Sequence, residues 1–186
     1  MNNKSIDLRS VSRTSSHALR HEPWLYELEL DDEGWTSIES LLSALKKDRH
    51  EWTELNANHL AEIIATSAER RFEIQGDRIR ALYGHSLEGK LKKIPAAPPE
   101  ILFHGTNPAV LPNIETTGLL PMARQYVHLS IDEDTAREVG RRKCRKPIIL
   151  RIRTREAAAS GVHFYEGNDK VWLADGVPPA FIEFDS

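Results

Sequence analysis

The sequence predicts an α+β protein built from two dissimilar lobes, and three observations lead there. A proline-rich stretch near the middle excludes both helix interior and central strand, the half before it carries two amphipathic helical patterns, and the half after it alternates short β-like runs with one well-bounded helix. With 186 residues the chain has room for one medium domain or two small ones, and for a real core. The punctuation is Lys90-Leu91-Lys92-Lys93-Ile94-Pro95-Ala96-Ala97-Pro98-Pro99-Glu100, with three prolines in the five positions from Pro95 to Pro99. It sets a first lobe over residues 1–93, a linker over 94–100 and a second lobe over 101–186. No internal repeat or low-complexity tract relates the halves, so different folds are expected for them.

In the first half, Ile38, Leu41, Leu42 and Leu45 stand at i, i+3, i+4 and i+7, the spacing of one helix face. Thr36 with Glu39 fits a capping box at its start. A second amphipathic pattern from Asn58 to Ser67 buries Leu60, Ile63 and Ile64. Arg71-Phe72-Glu73-Ile74, then Gln75-Gly76-Asp77, then Arg78-Ile79-Arg80-Ala81-Leu82 alternate around a turn and predict a β-hairpin. Helix, turn, helix and hairpin in this order predict a winged-helix lobe, whose exposed face and hairpin often meet nucleic acid by analogy of fold. In the second half, Ile101-Leu102-Phe103-His104 and Tyr126-Val127-His128-Leu129 read as strands, followed by a helix starting near Ser130 or Asp132 and stopping at Gly140. Further short β-like runs begin at Ile148, Val162, Val171 and Ala180, giving a small lobe dominated by sheet.

Composition narrows the function classes. Hydrophobic residues make up 40% and charged residues 28%, as in an ordinary globular protein. Runs such as Ile148-Ile149-Leu150 are far too short to span a bilayer, and Met1-Asn2-Asn3-Lys4-Ser5-Ile6-Asp7 has no apolar core of an export signal, so a cytoplasmic protein without membrane association is expected. The lone Cys144 has neither a disulfide partner nor metal-ligand spacing, and no metal site is expected. A net charge of −3 argues against holding long nucleic acid by overall charge. Locally, Arg137 to Arg155 holds nine basic residues against Glu138, a stretch that suits phosphate and equally suits a solvated face. Phosphate-binding loops, dinucleotide fingerprints, zinc-protease helices and hydrolase elbows are all missing from the sequence.

What remains is a set of basic residues in short, unusual contexts. Arg20 and His21 precede Pro23, an Arg fork beside a group that titrates near neutrality; a plain surface loop is the competing reading. Arg71 opens the first hairpin strand and points away from the face of Phe72 and Ile74, as a clamp or as a solvated edge. His104-Gly105-Thr106 ends a hydrophobic strand, with the glycine allowing close approach of a ligand or another backbone. Arg124 precedes the strand of His128; a solvated Arg and a core His are the alternatives. No Ser or Cys nucleophile pairs with a base and no carboxylate pair is evident. That pattern suits a reaction whose nucleophile comes from an anionic substrate and needs only positioned cations.

The ordered series Leu19-Arg20-His21, Arg71-Phe72, Gly84-His85-Ser86, Phe103-His104-Gly105-Thr106, Gly118-Leu119-Leu120-Pro121-Met122, Arg124 with Val127-His128-Leu129-Ser130, Val139-Gly140-Arg141, Val171-Trp172-Leu173 and Val177-Pro178-Pro179 resembles the RNA 2′-phosphotransferase family over nearly the whole chain. The resemblance implies an N-terminal winged-helix lobe and a C-terminal lobe of the ADP-ribosyltransferase fold, with the active site in the cleft between them. It implies NAD as a consumed co-substrate, no metal, and an RNA with an internal 2′-phosphate as partner, of which tRNA is one candidate; a monomer is expected, although the sequence itself is silent on oligomeric state. In the implied reaction the RNA 2′-phosphate attacks the nicotinamide-bearing ribose carbon and expels nicotinamide. The ribose 2″-hydroxyl then attacks phosphorus, releasing 2′-hydroxyl RNA and ADP-ribose 1″,2″-cyclic phosphate.

The family's catalytic set falls on Arg20, His21, Arg71 and Arg124, the same basic residues singled out above. The resemblance further places His104, Gly105, Thr106 and His128 in the NAD pocket, with Ser130 and Arg141 toward the pyrophosphate. Two departures from the family pattern stand out: Asp169 where a glycine would follow Asn168, and Tyr83 where a glutamine commonly precedes Gly84-His85-Ser86. Two rival functions remain in view, a non-enzymatic nucleic-acid binder and a transferase that passes ADP-ribose to a protein or a terminal phosphate.

Overall fold

The structure, a computed structural model, describes residues 6–184, and the first five residues of the N-terminal stretch considered above lie outside it. It is α+β with antiparallel sheets, and divides into two compact units, the first ending at Lys92 and the second beginning at Lys93.

The first unit opens with α1, Leu8–Arg20, started by the Asp7 carboxylate, which accepts from the Arg9 and Ser10 N–H groups at 3.1 and 3.3 Å. Its buried face is Val11, Ser12, Thr14, Ser15, Ala18 and Leu19. Leu8, Val11, Ala18 and Leu19 pack into the core, and the small and hydroxylic side chains among them allow close approach while diluting the apolar spacing. A two-residue strand β1, Thr36–Ser37, leads into α2, Ile38–Asp48. The helix is capped by Ser37, whose hydroxyl accepts from Ser40 N–H at 2.9 Å. Thr36 therefore does not form the expected box with Glu39, because it is committed to pairing opposite Ile79. α3, Ala57–Thr66, starts on a box of Asn56 and His59. The hairpin is present as β2, Phe72–Gln75, and β3, Arg78–Ala81. Gly76, at φ +61°, supplies the left-handed residue that its two-residue turn requires. The sheet runs β1-β3-β2, and Leu19, Leu41, Leu45, Trp52, Leu55, Phe72 and Ile79 share one core with it.

The second unit is a six-stranded sheet. Its elements are β4 (Ile101–Thr106), α4 (Leu111–Thr117), β5 (Val127–Ser130), α5 (Glu133–Arg141), β6 (Ile148–Arg153), α6 (Thr154–Ala159), β7 (Phe164–Asn168), β8 (Val171–Ala174) and β9 (Ile182–Glu183). The order is β7-β8-β5-β4-β6-β9, every neighbour antiparallel. β4 and β5 thus lie at the centre, and β4 pairs with β6 from Ile101↔Arg153 to Thr106↔Ile148. The proline-rich segment takes no regular structure and is tied onto this unit, with Ala96 N–H donating to the Phe164 carbonyl at 2.8 Å and the Thr154 hydroxyl to the Pro99 carbonyl at 2.6 Å. Among the described residues no helix is long and apolar enough to cross a membrane.

One contact fixes how α5 lies on the sheet. A Cβ added at Gly105 would sit 2.0 Å from the Ala136 carbonyl oxygen and 3.1 Å from Gly140 Cα, and one added at Gly140 would meet the Pro147 ring at 2.6 Å. Strand and helix therefore cross backbone to backbone, and even a methyl group must push them apart. Gly105→Ala is expected to lower the unfolding free energy by roughly 1–3 kcal/mol, read as a lower urea midpoint at unchanged slope. An unchanged midpoint would refute the crossing.

Candidate active site

In the first unit the structure brings three of the singled-out residues together. Arg20 is the last residue of α1 and His21 is its C-cap, with N–H bonded to the His17 carbonyl, so the two lie on a helix terminus and not in a free loop. Arg20 is half-buried, its guanidinium carbon 5.0 Å from the centroid of the Tyr83 ring and 5.8 Å from that of Phe72. Its Nη2 donates to the Arg71 carbonyl at a long 3.4 Å. Two aromatic rings against a planar guanidinium restrain its orientation. Tyr83, the departure from the family pattern, is one of those rings.

Ser86 joins the same group twice. Its N–H donates to the Arg20 carbonyl at 2.9 Å, and its hydroxyl lies 2.8 Å from His21 Nδ1. A hydroxyl serves as donor or acceptor, so this bond orients the ring under either tautomer and leaves Nε2 as the other position for proton exchange. Arg71 sits at the start of β2 with Nη2 3.4 Å from Glu69 Oε2, an ion pair whose Arg side chain is 42% exposed and therefore contributes little to stability. Its backbone is held firmly, because its carbonyl also accepts from Leu82 N–H at 3.0 Å. Next to His21, His17 bridges the Glu22 carboxylate at 3.0 Å and the Tyr26 hydroxyl at 3.2 Å. Ser86, Tyr83 and the His17 bridge carry no role in the residue-by-residue reading. Only the Gly84-His85-Ser86 motif pointed at Ser86 from the sequence.

In the second unit, His104 on β4 and His128 on β5 are joined across the sheet. His104 Nδ1 lies 2.9 Å from the His128 carbonyl oxygen. A carbonyl only accepts, so the His104 proton sits on Nδ1. Burial pulls the His104 pKa down to about 4, against the raising effect of that hydrogen bond and with the help of nearby Lys143. At neutral pH the ring is therefore uncharged, with a lone pair on Nε2 suited to accept from a hydroxyl. Gly105 is explained by the α5 crossing, Thr106 is buried at the end of β4, and Ser130 is buried at the end of β5. Arg141, the last residue of α5, is exposed, as are Lys143, Arg145 and Lys146 just beyond it. Other members of the basic stretch are paired: Arg151 with Glu183 at 3.2 Å, and Arg153 with Glu156 at 2.8 Å. Arg124 is exposed in the turn before β5, its N–H bonded to the Pro121 carbonyl at 3.1 Å. Among the described residues its guanidinium makes no hydrogen bond or ion pair, and no cluster of three or more His, Cys, Asp or Glu could hold a metal ion.

Comparison with known proteins adds an independent line. Residues 7–176 match the model of the RNA 2′-phosphotransferase, Tpt1 / KptA family. A probable RNA 2′-phosphotransferase of Bacillus thuringiensis subsp. konkukian is 50% identical over 180 residues, 97% of each chain. One from Acetivibrio thermocellus is 46% identical over 180 residues, 97% of this chain and 98% of its own. One from Rhodopirellula baltica is 41% identical, covering 95% of this chain and 96% of its own.

The His104 environment has a measurable consequence. Above its ordinary pKa of 6.5 the ring is neutral folded or unfolded and adds no pH dependence; between 6.5 and about 4 the unfolded chain takes a proton that the folded chain refuses. Stability is therefore lost as pH falls through this window, levelling off at roughly 3 kcal/mol. Urea unfolding at about pH 7 and about pH 4.5 should show a larger loss for the wild type than for His104→Asn, by roughly 2–3 kcal/mol. Equal losses would show that His104 takes its proton as readily in the folded chain.

Proposed function

We propose, from the premise that the chain belongs to the RNA 2′-phosphotransferase, Tpt1 / KptA family, that it removes an internal 2′-phosphate from RNA by passing it to ADP-ribose derived from NAD. The observation that carries the reading is the match over residues 7–176, joined to identities of up to 50% across nearly whole chains. In this reading the first unit is a winged-helix lobe over residues 1–93, residues 94–100 are the connector, and 101–186 is an ADP-ribosyltransferase-like lobe that takes NAD. The two helices followed by a hairpin support the first assignment, and the central β4–β5 pair carrying His104 and His128 supports the second.

The chemistry follows from charge and position. In the first step a phosphate oxygen of the RNA 2′-phosphate bonds to C1″ of the nicotinamide ribose, and the carbon–nitrogen bond breaks with its electron pair leaving on neutral nicotinamide. In the second, ribose O2″ bonds to phosphorus, its proton is taken up, and the RNA O2′ leaves and is protonated. Neither step needs a protein nucleophile. Arg20, Arg71 and Arg124 act on the phosphate oxygens, offsetting charge through planar forks that Lys could not reproduce. His21, oriented by Ser86, moves the proton at the departing RNA O2′. His104 Nε2, held as an acceptor, and His128 take ribose hydroxyls of NAD, with Gly105 and Thr106 lining the pocket and Ser130 and Arg141 toward the pyrophosphate. No resident metal or other cofactor enters. The enzyme works in the cytoplasm as a monomer in this reading.

Incubation with NAD and an oligonucleotide carrying one internal 2′-phosphate is expected to yield 2′-hydroxyl RNA, nicotinamide and ADP-ribose 1″,2″-cyclic phosphate. Folded protein giving none of these overturns the reading. Arg124→Ala is expected to slow the second step by roughly a hundredfold or more, so that nicotinamide appears in a burst and ADP-ribosylated RNA accumulates on a denaturing gel. Normal rates for both steps in that variant remove Arg124 from the phosphate.

A further inference from the structure

We propose that the first unit carries a nucleobase subsite: a cleft beside His21 in which a base at or next to the 2′-phosphorylated nucleotide stacks on the indole of Trp24. The inference rests on the RNA 2′-phosphotransferase reading and extends it from the phosphate to the base. Of the four tryptophans, Trp35, Trp52 and Trp172 are buried at 5%, 2% and 8% exposure, whereas Trp24 is 59% exposed with Leu25 beside it at 64%. An indole face left in water beside an exposed leucine offers a flat, rigid surface suited to stacking.

Trp24 is held in place. It belongs to a short 3-10 turn, Pro23–Tyr26, closed by Glu27 N–H to the Trp24 carbonyl at 3.2 Å and Leu28 N–H to the Pro23 carbonyl at 3.0 Å. The Tyr26 hydroxyl is tied back to His17 of α1 at 3.2 Å. The turn forms one wall of an open cleft of about 580 Å³ whose apolar lining is Pro23, Trp24, Leu30, Leu87 and Leu91. Both walls continue directly from the His21–Ser86 pair: Trp24 follows His21 by three residues and Leu87 follows Ser86 by one. Three residues of chain span at most about 11 Å, so the cleft opens within a nucleotide's reach of the residues assigned to the phosphate.

Its charge selects the base over the backbone. Asp31, Asp32 and Glu88 line the cleft against Lys90 alone, which disfavours a phosphate and leaves an uncharged ring as the suited occupant. Two of those carboxylates are already engaged, Asp31 by the Trp35 N–H at 2.9 Å and Asp32 by Lys92 at 2.7 Å. Stacking on an indole accepts any base, because every base has a π face, and contributes about 1–3 kcal/mol. The subsite would therefore favour an unpaired nucleotide without reading sequence.

Two measurements on the full chain test this. Trp24→Ala is expected to raise the KM for a 2′-phosphorylated oligonucleotide roughly ten- to a hundredfold with a smaller effect on kcat. An abasic residue placed in turn at the phosphorylated nucleotide and at each neighbour should reproduce that loss at one position in the wild type. Variant and abasic substrate together should cost no more than either alone. Separately, RNA should quench the wild-type tryptophan emission, and the quench should vanish in Trp24→Phe, since the other three indoles are buried. Wild-type turnover with additive losses, or with emission unmoved by saturating RNA, overturns the subsite while the phosphotransferase reading stands; the cleft then belongs to some other occupant, such as a peptide. No wild-type turnover overturns both.

Discussion

Ser86 closes the C-terminus of α1 against the segment that follows the hairpin, through one backbone bond to Arg20 and one side-chain contact with His21. A helix terminus leaves carbonyls without intrahelical partners, and here the Arg20 carbonyl finds its donor more than sixty residues away in sequence. The same closure brings the Tyr83 ring against the Arg20 guanidinium and sets the Arg71 carbonyl within reach of Arg20 Nη2. Cations repel one another, so an array of Arg and His stays ordered only if each is fixed through its own backbone and neighbours. In this unit the backbone carbonyls, a serine hydroxyl and two aromatic rings do that work. The short turn bearing Trp24 inherits its position from the same helix end.

The second unit handles charge in the opposite way. Where the first fixes permanent cations, β4 holds an imidazole that burial keeps neutral, with its proton committed to the His128 carbonyl. Tyr165 and Tyr126, whose ring centroids lie 5.1 Å apart, have phenol pKa values raised to about 12 by burial, with the Asp175 carboxylate adding to the effect. The Tyr165 hydroxyl donates to that carboxylate at 3.1 Å. These three rings stay uncharged at neutral pH, and exposed cations gather beyond the end of α5.

Strong local signals were legible in the sequence. The hairpin, α2, α3, α5 and most strands of the second unit carry alternation, capping residues or apolar spacing that survives in the structure, whereas the run from Ala180 opens as a 3-10 turn, Pro179–Phe181, and pairs only at Ile182–Glu183. α1 went unread although Val11, Ala18 and Leu19 share its buried face, because Ser12, Thr14 and Ser15 lie among them and dilute the apolar pattern, and α4 has a proline in its first turn and is too short for periodicity to show. Thr36 illustrates a different failure: it has the chemistry of a cap, but strand pairing with Ile79 claimed it and the adjacent Ser37 took the role. The individual candidates Arg20, His21 and Arg71 were visible as residues, yet their association depends on contacts between positions 20 and 86 that no local pattern encodes. The chain's place in the family needed the ordered motifs, and the match over residues 7–176 shows it.

Gly105 stands between two residues that the proposed function gives to the co-substrate, yet its own requirement comes from packing, since a Cβ there would lie 2.0 Å from the Ala136 carbonyl oxygen. Mutational drift at this position is therefore blocked by folding alone, whatever becomes of the chemistry. Under the proposed function, a lineage that lost Arg20 or Arg124 would stop handling phosphate, and the packing demand on the glycine would be unchanged. In surveys of related sequences, a glycine at this position consequently reports inheritance of the sheet-and-helix crossing and not of the chemistry.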